Sequence, residues 1–132
     1  MTPFAVGGPY QVQLTINTGY VYSSSPAVDL GVATIGPSVE FPLGWDGLFS
    51  VNMKLRKMTI THLVGTSWGG TYPEFFGPAV TSLTSGANLP QPAYFISYTT
   101  ANPGILQSTA TSIALNWVGL SFNQGDYIVI GW

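Results

Sequence analysis

The chain contains no cysteine, and only eight of its 132 residues carry a formal charge. The first absence excludes a disulfide framework, a thiolate nucleophile and any cysteine-based metal site. The second is less common. A soluble surface usually draws about a quarter to a third of its residues from Asp, Glu, Lys and Arg; here the share over the whole chain is 6%. All three cations, Lys54, Arg56 and Lys57, lie within four positions, which leaves little footprint for nucleic acid or an anionic membrane surface. Long apolar runs are missing as well: no stretch approaches the ~18 residues of a membrane helix, so no membrane span is expected. Nor does any segment keep a 3.6-residue period free of Gly and Pro for about a dozen residues, so little or no helix is predicted. The first nine residues, Met1 to Pro9, have neither the basic start nor the apolar core of a signal peptide.

What is there is a neutral polar surface. Ser and Thr number 26 together, Gly 16, Pro 10, and the aromatic content is 14%. The apolar content of 45% is ordinary for a globular chain, so scarce charge does not mean disorder. Apolar and polar residues alternate over short segments punctuated by turn residues, the pattern of an all-β protein. Tyr10, Val12, Leu14 and Ile16 share one face of a strand, with Gln11, Gln13, Thr15 and Asn17 on the other. Val28, Leu30 and Val32 alternate again. So do Val39, Phe41 and Leu43, with Pro42 marking a sheet edge. Asp46-Gly47 is a tight-turn pair. Leu48 to Val64 reads as the longest strand, slipping phase at Arg56-Lys57, where a bulge or sharp bend is predicted. Gly65 to Gly77 reads as a long loop rich in Gly and aromatics. Val80 to Thr84, the alternating Tyr94, Ile96 and Tyr98, Ser112 to Phe122, and Tyr127 to Trp132 complete the strands. Length and spacing predict one antiparallel β-sandwich domain over residues 10–132, jelly-roll-like in topology, preceded by an extended arm over residues 1–9.

Motifs of catalysis are thin. Gly65-Thr66-Ser67-Trp68-Gly69 has the spacing of a nucleophile elbow, but Gly70, Pro73, Gly77 and Pro78 exclude the helix that must follow. The one histidine, His62, precedes that serine and falls on the apolar phase of its strand. Five scattered carboxylates, Asp29, Glu40, Asp46, Glu74 and Asp126, suggest neither a glycosidase pair nor a metal site. No catalytic residue, cofactor or metal ligand is therefore assigned, and no enzymatic activity is expected. Lys54, Arg56 and Lys57 read best as charges that discourage wrong strand pairing.

Aromatic and apolar residues carry the functional expectation instead. A surface with little charge repulsion suits contact with copies of itself, so the chain is expected to form a homo-oligomer or polymer. Phe4 and Val6 of the arm, Trp68, Tyr72, Phe75 and Phe76 of the long loop, and Ile130 and Trp132 of the last strand are the expected subunit contacts. Trp117 is placed in the core. Trp45 and Trp68, in loops beside glycines, are candidates for stacking on a glycan, the alternative being a lectin-like module that binds a carbohydrate or host receptor.

Leu120 to Ile130, with Gly125-Asp126 preceding the final strand, resembles the hairpin that ends many viral and tumour-necrosis-factor-like jelly rolls. The low-charge, cysteine-free, Thr-, Gly- and aromatic-rich character of the whole chain resembles structural proteins of archaeal viruses and of extracellular filaments. The resemblance implies a non-enzymatic subunit of a virion or extracellular filament, assembled by strand addition and aromatic contacts. It transfers no functional residue.

Overall fold

The alternation read from the sequence becomes strand β1 (Gln11–Gly19), in which Val12, Leu14 and Ile16 are buried. The computed structural model describes residues 11–19, 27–34, 40–54, 57–69, 75–83 and 93–132. The proposed arm over residues 1–9, with Phe4 and Val6, lies outside the described residues, as does Tyr72. After β1 come β2 (Ala27–Thr34), β3 (Phe41–Leu43), the single helical turn α1 (Gly44–Gly47), β4 (Phe49–Lys54), β5 (Lys57–His62) and β6 (Thr66–Ser67). Then follow β7 (Phe75–Ser82), β8 (Tyr94–Tyr98), β9 (Ile105–Ser108), β10 (Ser112–Asn116), β11 (Ser121–Phe122) and β12 (Tyr127–Gly131). Among the described residues no helix is long and apolar enough to cross a membrane.

Two five-stranded antiparallel sheets form a β-sandwich. One runs β2-β1-β7-β10-β9, the other β3-β4-β5-β12-β8, and β6 pairs with β11 in a small ribbon. The core lies between the sheets. Val12, Leu14, Ile16, Val80, Ile113 and Leu115 enter it from the first, Val51, Met53, Met58, Ile60, Ile128 and Ile130 from the second. Register explains how one face stays apolar. Val51 pairs with Ile60 and Ile60 with Ile128; Met53 pairs with Met58 and Met58 with Ile130. Each inward side chain therefore has inward neighbours across the ladder, the contacts that stabilise a sheet.

Strand β12 is central, between β5 and β8, which is why Ile130 and the following Trp132 are buried. Pro42 sits in an edge strand as its missing N–H requires. The pairing does not establish a jelly roll. In that topology the first and last strands lie side by side, whereas β1 here is flanked by β2 and β7, and β12 belongs to the other sheet.

Several local expectations are corrected. Leu48 to Val64 is not one bulged strand. β4 and β5 form a hairpin in which Lys54 pairs with Lys57 and Phe49 with His62. The pairing couples odd with even numbers, so inward residues change parity on reversal; the phase slip marked a turn. Asp46-Gly47 closes a helical turn, with Leu48 N–H donating to the Gly44 carbonyl at 3.1 Å. Ser112 to Phe122 is broken at Trp117, where Leu120 N–H donates back to the Trp117 carbonyl at 3.0 Å. The Gly65 to Gly77 segment contains β6 and the first residues of β7. Strand β9 was not foreseen.

Gly77 shows how closely β7 and β10 approach. A Cβ on Gly77 would collide with the Leu115 carbonyl oxygen and lie 3.0 Å from its carbon and 3.2 Å from Trp117 N. Because those atoms are backbone, they have little room to give. Beside the glycine, the Asn116 carboxamide oxygen accepts from Phe76 N–H (3.0 Å) and Val118 N–H (3.1 Å), extending the strand junction where the ladder stops. Gly77→Ala is expected to cost about 3 kcal/mol, a loss measurable by urea unfolding with an unchanged slope; a cost under about 0.5 kcal/mol would refute the close approach.

Candidate interaction surface

Six aromatic rings fill the end of the sandwich where β5, β6, β10 and β11 converge. Trp117 is the hub: its ring centroid lies 4.8 Å from His62, 4.9 Å from Trp68, 5.2 Å from Phe122 and 5.8 Å from Phe49. Phe76 meets Trp68 edge-on at 5.1 Å. The Trp117 indole N–H donates to the Pro103 carbonyl at 3.1 Å, so the ring is buried without losing its polar bond.

Trp68 is part of this cluster and not a surface ring. It is 2% exposed, because β6 pairs with β11 and turns the following residue inward. Its indole N–H donates to His62 Nε2 at 3.3 Å. Flanking glycines gave the segment freedom without setting its direction. Such a ring cannot stack on a sugar. The backbone of Trp45 lies in α1. The other expected contact residues are also placed inside: Phe75 is buried against Ala79 and Ala114, Phe76 is half-buried, and Ile130 and Trp132 belong to the main core.

His62 is fully buried and stacks on Phe122, with centroids 4.2 Å apart and planes 12° apart. Accepting from Trp68 at Nε2 puts the neutral ring's proton on Nδ1, an atom with no hydrogen-bond partner among the described residues. The motif serine is elsewhere: Ser67 Oγ is exposed and meets Ser121 Oγ at 2.9 Å. Neither imidazole nitrogen serves it. Among the described residues no three His, Asp or Glu side chains gather as a metal-binding group.

Asp126 organises the turn before β12. Its carboxylate accepts from Asn123 N–H (2.8 Å) and from the Thr99 hydroxyl (3.2 Å), while Gly125 takes φ 88°. The turn's backbone holds His62, whose N–H donates to the Asp126 carbonyl and whose carbonyl accepts from Gly125 N–H, both at 2.8 Å.

The surface has a different character at its two lateral sides. On one side lie the outer strands β8 and β9, linked where Ala93 N–H donates to Ser108 Oγ at 3.2 Å. Tyr94, Ile96, Tyr98 and Ile105 there are 46–52% exposed. On the other side lie β2 and β3, which line an open groove of about 290 Å³. Val32 is 52% and Leu43 73% exposed at its rim. Glu40 also lines the groove, and its carboxylate accepts from Met53 N–H at 2.6 Å, where β4 runs beyond the short β3. No charged residue occurs between Glu74 and Asp126, so β8 and β9 lack the lysines and carboxylates that usually guard sheet edges. Alternation had identified Tyr94, Ile96 and Tyr98 as a strand; the signal that it is an edge was that uncharged run.

Burial lowers the His62 pKa from 6.5 to about 4, with the Asp126 charge pulling the other way. The folded value lies below the unfolded one, so the neutral ring's contribution to stability is complete above pH 6.5. It falls away as pH drops toward 4, by about 3 kcal/mol in all. Unfolding curves between pH 7 and 4 are expected to show this loss, and His62→Phe to show a shallower one. Identical slopes in the two proteins would refute the assignment. No family model, no curated protein and no solved structure matches the chain.

Proposed function

We propose that this protein is a non-enzymatic structural subunit that assembles with copies of itself into a virion or an extracellular filament. One observation carries the reading: a side of the sandwich formed by β8 and β9 exposes four large apolar or aromatic side chains and has no charged residue in either strand. Natural monomers blunt such edges with charge, proline or a bulge; β8 has a register shift between Phe95 and Ser97 but no charge, and its exposed apolar side chains support contact with another chain. Here the stock of charge is spent elsewhere in the chain. The partner is a second copy because a net charge of only −2 sets up little long-range repulsion between copies.

Glycan binding through a pair of tryptophans is less well supported, since Trp68 is enclosed by Phe49, Phe76 and Trp117. Contact with a host surface remains compatible with an assembled shell or fibre, but no residue is assigned to it.

The purified protein is expected to run in light scattering well above its 14.0 kDa monomer mass and to form regular particles or fibres in electron micrographs. Raising salt from about 0.1 M to about 1 M should leave the assembly intact or strengthen it, because apolar contacts gain where ion pairs are screened. A 14.0 kDa monomer at all concentrations and salts would overturn the proposal.

A further inference from the structure

From Leu63 to Gly69, Trp68 is the one buried residue. Val64, Gly65, Ser67 and Gly69 are exposed, and a Cβ on Gly69 would meet nothing within 4 Å. Backbone pairing adds little hold. β6 meets β11 at two positions, Thr66 with Phe122 and Ser67 with Ser121, besides the bond from Trp68 N–H to the Leu120 carbonyl at 2.7 Å. The segment is a strap laid over the end of the sandwich and fastened by one indole. We infer that the strap is released by acid: protonation of His62 unfastens Trp68, and β6 lifts away to open the aromatic cluster.

The fastening works only with a neutral imidazole. An indole N–H can only donate, so its bond to His62 Nε2 needs a lone pair there. A proton on Nε2 makes that nitrogen a donor too, and two donors cannot share the contact. The imidazolium would also be a charge among the rings of Phe49, Trp68, Trp117 and Phe122. These come from β4, the strap, the residue after β10 and β11, and none of them titrates in acid. Asp126, before β12, is the charge that acts on His62 among the described residues. Its carboxylate is already engaged by Asn123 N–H and the Thr99 hydroxyl, and Lys54 and Lys57 lie at the other end of the β4–β5 hairpin. His62 Nδ1 is buried with no hydrogen-bond partner among the described residues, so the closed strap carries a polar cost even before acid is added.

The strap is the part that gives. β5 is paired along its length with β4 and β12, Trp117 is tied to the Pro103 carbonyl, and Phe122 leads straight into the Asp126 turn. Local opening draws on segments with few buried contacts and exposed backbone pairing, which describes Leu63 to Gly69 and none of its neighbours in the cluster. With the strap lifted, His62 meets water and returns toward its ordinary 6.5; with the strap closed, burial holds it at about 4. Closure is therefore fully supported above pH 6.5 and weakens as pH falls toward 4. From pH 7 to pH 4 the ratio of open to closed strap rises by as much as about 100-fold.

Amide hydrogen exchange read by NMR, corrected for the intrinsic effect of pH, tests the strap directly. The Trp68 N–H is expected to be less protected than the ladder amides of β5 and β12 throughout. Its protection is expected to fall by about 10- to 100-fold between pH 7 and pH 4. The Leu83 N–H, bonded to the Gln11 carbonyl at the opposite end of β7 from Phe76, opens without uncovering His62 and is expected to keep its protection. His62→Gln offers the indole an acceptor that takes up no proton in this range, and is expected to flatten the Trp68 profile. Should that variant fail to fold, His62→Phe, which keeps a ring and cannot titrate, must give the same flat profile. A Trp68 amide that exchanges only together with the ladder amides would overturn the inference, since no independent strap would exist. So would a change below about 3-fold in the parent protein, which would mean that the faces of Phe122 and Trp117 hold the imidazolium in place. A variant without His62 that keeps the parent's pH response would overturn it as well.

Discussion

The packing of Trp117 is the joint on which the rest depends. It follows directly on β10 of one sheet, touches Phe49 and His62 of the other, and meets Trp68 and Phe122 of the small ribbon. Three separate ladders are thus held by one side chain. Its indole N–H reaches the Pro103 carbonyl, tying in the turn before β9 as well. A ring of this size removes a large apolar area from water at the place where the two sheets would otherwise splay. The break in the chain at this residue, which ends β10 and redirects the backbone into β11, serves the same packing.

Around that joint the chain keeps charge out of its interior. The buried histidine is held neutral between aromatic faces, and a tryptophan N–H satisfies one of its nitrogens. Polar groups that must be buried are used as links, as with the Asn116 carboxamide between β7 and the turn after β10. The same economy operates outside. With few ionised side chains available, strand faces are solvated by Ser, Thr, Asn and Gln, and the outer strands β8 and β9 contain no charged residue.

How much of this was legible in the sequence depended on whether a contact is local. The alternation in β1 and β12 and the proline in β3 were readable because a pleated strand exposes every second side chain. The hairpin of β4 and β5 was misread because a change of phase is produced equally by an inserted residue and by a reversal with an odd pairing sum. Ile105 to Ser108 is only four residues long, too short for alternation to stand out. Trp68 was placed outside because its neighbours are glycines; its direction comes from β11, more than fifty residues later. Non-local pairing of that kind leaves no mark in the local sequence. The exposed edge, in contrast, had a signal in the uncharged run from Phe75 to Gly125, visible only when charge is read along the chain rather than counted.

The hairpin of β4 and β5 has one more effect. Lys54 pairs with Lys57 beside its tip. The other end of β5, about 17 Å away along a strand of six residues, is fixed differently: the His62 backbone is bonded both ways to Gly125 and Asp126, in a turn far later in the chain. Strand β5 is thus clamped at one end by its own hairpin and at the other by the turn that starts β12. Separating β12 from β5 has to undo that turn as well as the ladder, so local opening of this sheet would begin at its outer strands and not at its centre.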